Sequence, residues 1–117
     1  IRRVALMANE LADAGAIVLV ALGSRYRVAR EGARKTIGED RFTEVYVDCA
    51  VTECIRRDTK GMYGKAIAGN LPGFTGVSDP YEMPDMPDVH LFTDIVTVEE
   101  CVNKLLVYLK ESGFIDY

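Results

Sequence analysis

The chain has 117 residues, of which 49% are hydrophobic, and this is enough for one compact domain. Its 14 Lys and Arg against 18 Asp and Glu give a net charge of -4, which argues against a general nucleic-acid binder, since such proteins gain affinity by neutralising phosphates. The longest apolar run, residues 14–22, is far shorter than the roughly 20 residues of a membrane helix, so no membrane span is predicted. No signal peptide is predicted either, because Arg2 and Arg3 are followed by an amphipathic pattern rather than by a cleavable apolar block.

Helices and strands alternate in the first half of the chain. An apolar helical face runs from Val4 to Ala12, and Gly15 can end this helix in the left-handed conformation. Residues 16–22 form a continuous, partly β-branched apolar run, which predicts a strand buried on both faces of a parallel sheet. The pattern then predicts a helix over residues 26–37, a strand over 43–49 and a short helix over 52–57.

Residues 58–88 contain all four prolines and are predicted to be irregular apart from a short helix at 61–68. An irregular segment of this length inside a compact domain is usually functional or disordered, and its residues favour a functional lid. A third strand at Val89–Phe92 and a last helix follow, with Thr97 and Glu100 as a capping box. The pattern predicts an α/β fold, a parallel sheet flanked by helices, in a single domain over residues 1–117.

Ligands of such a fold bind at the carboxyl ends of the strands. Residues 23–27 follow the first predicted strand and contain a glycine, a serine and two arginines, whose guanidinium groups match phosphate or sulfate oxygens. For Gly23 and Ser24 alone, general turn chemistry favours an ordinary strand-to-helix turn with an N-cap, and the anion-binding interpretation stays open beside it.

The sequence predicts no metal site. His90 lies in a strand without a ligand-spaced partner, Cys49 and Cys54 lack zinc-knuckle spacing, and Cys101 belongs to a helical core face. An odd number of cysteines favours free thiols, so we expect a cytoplasmic protein.

Several motifs resemble those of one enzyme family. RDTKGMY at residues 57–63 is close to RDPKGLY, and GFTGVSDPYE at 73–82 is nearly GFTGIDDPYE. SRYR at 24–27 resembles SPYR, ADAG at 12–15 is similar to ADAG, and IRR at 1–3 resembles the end of ENIRR. These are motifs of the adenylylsulfate kinases (APS kinases), P-loop kinases of sulfate activation with a nucleotide-kinase-like fold.

The resemblance implies transfer of the ATP γ-phosphoryl group to the ribose 3′-hydroxyl of adenylylsulfate, which gives 3′-phosphoadenylylsulfate. It implies that Phe74 stacks on the adenine of adenylylsulfate and that Lys60 is a catalytic contact. The implied substrate-binding residues are Gly23, Ser24, Lys60, Gly73 and Phe74. The family's serine at the position of Ser24 has also been proposed as a phosphorylated intermediate, although direct in-line transfer needs no covalent step.

On the ATP side, the resemblance implies that Arg57 lies over the adenine and that the backbone near Val96 flanks it. Mg²⁺ is expected with ATP as co-substrate, without a ligand assigned in this chain. Plainer interpretations stay open for single residues. Phe74 could be a hydrophobic anchor of its loop, Lys60 a solvated surface charge, and Arg57 a surface ion pair with Asp58.

The chain also departs from the family. It contains no phosphate loop: Lys35 is the only lysine followed by Ser or Thr, and Arg34 stands where that loop needs glycine. We therefore expect residues 1–117 to be the C-terminal two-thirds of an APS-kinase-like domain, without its first strand and P-loop, with a lid at about 58–88, and inactive alone.

Two local departures concern the substrate. Arg25 replaces the proline of the SPYR motif, and Gly64 replaces a lysine beside Lys65. Two alternatives therefore stay open: a similar kinase acting on another nucleotide, and a non-catalytic regulatory domain that binds a nucleotide. The family further implies a homodimer or a fusion to a sulfurylase domain.

Overall fold

The computed structural model describes residues 1–75 and 80–116, which divide into two compact units. The first unit comprises Ile1–Thr43 and Tyr81–Asp85, and the second comprises Glu44–Pro80 and Met86–Tyr117. Within the described ranges, no helix is long and apolar enough to cross a membrane.

The first unit is built on two helices, α1 (Arg2–Asp13) and α2 (Arg27–Ile37), which pack against each other. Ala5 and Ala8 of α1 are buried, because small side chains on one face allow close approach of the helices. The chain leaves α1 through Gly15, whose φ of +96° is the left-handed conformation predicted for it. Arg41 then joins the end of α2 to α1 by donating to the Asp13 carboxylate over 2.7 Å.

The prediction of a strand over residues 16–22 is wrong. No regular structure is assigned there, and Ile17 and Leu19 are 58% and 83% exposed. A strand buried in a parallel sheet needs a hydrogen-bonded neighbour on each edge and cover on each face. Within residues 1–75 and 80–116, only the strands Val45–Asp48 and Val89–Phe92 form a sheet. Hydrophobicity alone therefore does not fix this segment as a strand.

The second unit contains the sheet, whose strands β1 (Val45–Asp48) and β2 (Val89–Phe92) run parallel with Val45 opposite Val89. The helices α3 (Val51–Arg57) and α4 (Met62–Ile67) follow β1, and α5 (Val98–Glu111) follows β2. Val89, Leu91 and Cys101 form the core between β2 and α5. These bounds confirm the predicted α/β architecture, and β2 matches its predicted bounds.

The other face of the sheet carries a column of rings. His90 stacks between Tyr46 and Phe92, with ring centroids 4.6 and 4.0 Å away. Its Nε2 lies 2.8 Å from an oxygen of the Asp48 carboxylate. His90 is thus held by packing and one hydrogen bond, as expected of a structural histidine.

Thr97 caps the N-terminus of α5 as predicted, although the Glu100 carboxylate bonds to the Thr97 hydroxyl and not to its backbone N–H as in a capping box. The Thr97 hydroxyl accepts from the backbone N–H of Glu100 over 3.1 Å and donates to the Glu100 carboxylate over 3.1 Å. We expect Thr97→Ala to lower the free energy of unfolding by about 1 kcal/mol, because the amide loses its acceptor. Chemical denaturation measures this, with Thr97→Ser as the matched control. Equal stability of the alanine variant and the parent would show that the cap contributes nothing.

Candidate functional site

The carboxyl ends of β1 and β2 are tied together in the second unit. The Thr93 backbone N–H and hydroxyl both donate to the carbonyl oxygen of Asp48, over 2.9 and 3.0 Å. The Asp94 carboxylate accepts from the Ala50 backbone N–H, which opens α3, over 3.1 Å. The loop after β2 is thereby fixed against the start of α3, at the edge where a parallel sheet binds ligands.

Arg57 lies at this edge. Its Nε donates to the Glu53 carboxylate over 3.0 Å, and its Nη2 donates to the carbonyl oxygen of Thr93 over 2.9 Å. The side chain is still 46% exposed, so part of it is open to solvent although two hydrogen bonds hold the guanidinium. The Val96 backbone N–H donates to the carbonyl oxygen of Phe92 over 3.0 Å, and the Val96 side chain packs on the core. Arg57 is thus bonded to Thr93, in the loop that leads to Val96.

Glu53 is the acidic partner that the sequence analysis did not identify. Hydrogen bonds from Arg56 lower the pKa of its carboxyl group to about 2, with a smaller contribution from Arg57. Glu53 therefore keeps its negative charge beside Arg57 down to low pH, although the pair is exposed. The i, i+4 spacing of Glu53 and Arg57 is the signal that could have indicated this contact.

We expect the Glu53 carboxyl to titrate near pH 2 when followed by NMR. A lowered pKa stabilises the folded state above the unfolded pKa, so this contribution is present at neutral pH and is lost as pH falls from about 4 towards 2. A Glu53→Gln variant should lack this part of the acid dependence. A midpoint near 4 in the parent would contradict the arrangement.

The turn after α3 presents Lys60. The Asp58 carboxylate accepts from the backbone N–H groups of Tyr63 and Gly64, over 2.9 and 3.0 Å, so it caps α4 rather than pairing with Arg57. Gly61 takes the left-handed conformation, φ +68°, that this turn requires. Lys60 is exposed and makes no hydrogen bond or ion pair within the described part of the chain. Lys60 thus carries an exposed positive charge on a turn that the Asp58 hydrogen bonds fix, where a ligand can reach it.

Phe74 is half-buried against Tyr63. The two rings meet edge to face, with centroids 4.8 Å apart and planes at 73°. Gly73, also predicted to bind substrate, has a φ of +74°. The contact supports the interpretation of Phe74 as a loop anchor. Because an edge-to-face contact covers only part of an aromatic ring, it does not by itself exclude stacking of Phe74 on a base. Residues 76–79 of the same motif lie outside the described residues.

Two further groups near α3 have raised pKa values. Burial, followed by a hydrogen bond with the Cys54 side chain, raises the pKa of the Cys49 thiol, and the same two causes raise that of the Tyr63 hydroxyl. Burial therefore favours the neutral thiol at Cys49 and the neutral hydroxyl at Tyr63.

Gly23 and Ser24 lie in the first unit, in the loop before α2. A Cβ atom at Gly23 would meet nothing within 4 Å, so this position is open. Ser24 has a φ of +43°, in the left-handed region that residues other than glycine rarely adopt. Such strain in a loop of polar residues is a signature of functional sites.

The first unit also contains two residues that sequence reasoning missed, Arg30 and Glu82. The Arg30 guanidinium donates to the carbonyl oxygens of Ser24 and Glu82. The Glu82 carboxylate accepts from the backbone N–H of Arg27. No local pattern could have indicated the two contacts of Glu82, because 52 and 55 residues separate it from Arg30 and Arg27.

Metal ligation was tested on the donor groups present. Among residues 1–75 and 80–116, no three His, Cys, Asp or Glu side chains converge on a metal-sized site. We therefore assign no side chain of this chain to the Mg²⁺ that accompanies ATP.

Comparison with known proteins gives consistent matches. The sequence model of the family Adenylylsulphate kinase matches residues 1–92. The adenylyl-sulfate kinase of Staphylococcus epidermidis is 43% identical over 115 residues, which is 98% of this chain and 58% of that protein. The bifunctional enzyme NodQ of Rhizobium tropici is 53% identical over 93 residues, 80% of this chain and 15% of that protein.

Solved structures agree. The APS kinase CysC of Mycobacterium tuberculosis, in complex with AMPPNP and APS, matches with a TM-score of 0.84 and 38% identity over 93% of this chain and 64% of that chain. The chain thus spans about three-fifths of the length of the adenylyl-sulfate kinase it matches.

Proposed function

Because the chain belongs to the adenylylsulfate kinase family, we propose that the protein transfers the γ-phosphoryl group of ATP to the 3′-hydroxyl of adenylylsulfate. The oxygen–phosphorus bond to the β-phosphate breaks, a bond to the 3′-oxygen forms, and the hydroxyl proton is released. The observation that supports this most is the half-exposed Arg57 guanidinium, fixed between Glu53 and Thr93 at the carboxyl ends of the strands.

On the ATP side, Arg57 provides a cationic plane for the adenine, and the loop that includes Val96 flanks the base. Two hydrogen bonds hold the guanidinium, so little side-chain entropy is lost when the base stacks on it. Mg²⁺ bound to ATP neutralises phosphate charge, and its ligands are not assigned in this chain.

On the adenylylsulfate side, Phe74 stacks on the adenine and Gly73 leaves room for it. The family resemblance supports Gly23 and Ser24 of the first unit as further substrate-binding residues. The Phe74 ring is half-buried and held at one edge by Tyr63. Lys60 supplies positive charge near the transferred group, because phosphoryl transfer depends on positioning and charge stabilisation. Direct transfer leaves the Ser24 hydroxyl as a contact only.

The substrate is tested by measuring ADP release from ATP with the full-length protein that contains this sequence. We expect saturable stimulation by adenylylsulfate and none by other adenine nucleotides. Stimulation by a different nucleotide alone would identify a kinase of another substrate, which the Arg25 substitution allows. Nucleotide binding without turnover would identify a regulatory domain.

Intact-mass measurement belongs beside this assay. We propose that the protein extends beyond these 117 residues and that the added segment supplies the phosphate loop, since the loop's motif is absent here. A mass equal to that of these residues alone, 13.0 kDa, together with ADP release, would contradict the predicted inactivity of the isolated segment. A cytoplasmic location, a homodimer and a fusion to a sulfurylase domain remain proposals.

A further inference from the structure

The motif at residues 73–82 ends in Tyr81 and Glu82, and the proposed function assigns no role to either residue. Every polar group of the Glu82 backbone and one of its carboxylate oxygens contact the loop and helix around Ser24. The Glu82 N–H donates to the carbonyl oxygen of Arg25, and Oε1 accepts from the N–H of Arg27, each over 2.9 Å. The carbonyl oxygen of Glu82 accepts from Nη2 of Arg30.

Arg27 is the first residue of α2, and its N-cap residue, Tyr26, offers no side-chain cap. A helix N-terminus carries unsatisfied N–H groups and a partial positive charge. The Glu82 carboxylate therefore caps α2 from a distant part of the sequence, with a negative charge at the favourable end of the helix.

Arg30 completes the arrangement from the buried side. It is 8% exposed, and its guanidinium donates to the carbonyl oxygen of Ser24 through Nη1. The Tyr81 ring lies 5.5 Å from its Cζ, at cation–π distance. A buried guanidinium with these partners fixes the Ser24 backbone, which has the strained φ of +43°.

We propose that Glu82 is a positioning residue that, with Arg30, holds the Ser24 loop in the conformation that receives adenylylsulfate. Glu82 does not touch the substrate in this account. Its carboxylate fixes the start of α2, and the loop of residues 23–26 that precedes it is fixed as a consequence. The substrate part of this inference rests on the proposed function, whereas the structural part does not.

Amide hydrogen exchange in the full-length protein tests the structural part. Glu82→Ala should accelerate exchange of the Arg27 amide and of the neighbouring Ser24 loop by about tenfold, as expected for the loss of a cap. Glu82→Gln keeps an oxygen acceptor and should stay close to the parent. Asp85→Ala is the matched control, because it removes an exposed ion pair with the Arg27 side chain and leaves the α2 cap in place. Unchanged exchange in Glu82→Ala would overturn the proposal.

Steady-state kinetics test the substrate part. Glu82→Ala should raise KM for adenylylsulfate about tenfold and leave KM for ATP within about twofold of the parent. The reason is that a misplaced Ser24 loop weakens the binding of adenylylsulfate only. Glu82→Gln should restore most of the loss, and Asp85→Ala should match the parent.

The outcomes separate this inference from the proposed function. An equal rise of both KM values would indicate a general structural role and would overturn the positioning of the substrate loop. An unchanged KM for adenylylsulfate would do the same. If the parent protein shows no turnover with adenylylsulfate, the proposed function and the substrate part fall together, and the exchange experiment still decides whether Glu82 holds the loop.

Discussion

Replacement of Lys60 with alanine is expected to lower kcat/KM for adenylylsulfate by about a hundredfold or more. Removal of one group that stabilises transition-state charge typically has an effect of about 10²–10³ in rate. Lys60 suits this role because Asp58 shapes its turn through two backbone hydrogen bonds, while the lysine itself is exposed and, within the described residues, without an ion pair.

The matched control for Lys60→Ala is Lys110→Ala, which removes an exposed lysine in the last turn of α5. This variant should keep the activity of the parent. Lys60→Arg should recover part of the loss, because it restores the charge with a different geometry. Activity of Lys60→Ala within about threefold of the parent would show that Lys60 is the solvated surface charge of the plainer interpretation, since a loss that small is under about 1 kcal/mol.

Replacement of Phe74 with alanine is expected to raise the dissociation constant for adenylylsulfate between about fivefold and a hundredfold. Stacking of a base on an aromatic side chain is worth about 1–3 kcal/mol. The same change removes the edge-to-face contact with Tyr63, worth about 0.5–1.5 kcal/mol, so the free energy of unfolding should also fall.

The two roles of Phe74 are separated by Phe74→Leu, which keeps apolar contact with Tyr63 but has no aromatic face. Isothermal titration with adenylylsulfate should then show weak binding for both variants, with a smaller loss of stability for leucine than for alanine. Binding by the leucine variant that equals that of the parent would identify Phe74 as a loop anchor only.

Local patterns predicted most of the second unit. The strand Val89–Phe92 has the predicted bounds, and the last helix begins after Thr97 as predicted, because hydrophobic periodicity and an N-cap act over a few neighbouring residues. The helices near 52–57 and 61–68 were also predicted to within two residues.

Predictions that needed distant partners did less well. Residues 16–22 have the composition of a buried strand, but a strand requires a hydrogen-bonded neighbour, which composition cannot supply. The contacts of Arg30 with Glu82 and of Arg57 with Thr93 were not predicted, because long-range side-chain contacts to backbone carbonyls leave no periodic pattern.

The residues of the candidate site also fall into two groups, those that local sequence patterns identify and those that only the fold identifies. Motifs identified Lys60, Phe74, Arg57 and Ser24 as candidates, since each motif is contiguous in sequence. Among the groups that orient these residues, Glu53 had a sequence signal in its i, i+4 spacing from Arg57. The roles of Asp58 and Arg30 became identifiable only from distances in the fold. Their substrate contacts remain predictions, which the variants above test.

The most direct test of the central claim is to locate the transferred phosphoryl group. The full-length protein is incubated with γ-labelled ATP and adenylylsulfate, and the labelled product is identified by NMR and mass spectrometry. We predict label on the 3′-oxygen of adenylylsulfate and none on a 3′-deoxy analogue. Label on another position, equal labelling of the analogue, or ADP release without labelled nucleotide would contradict the account.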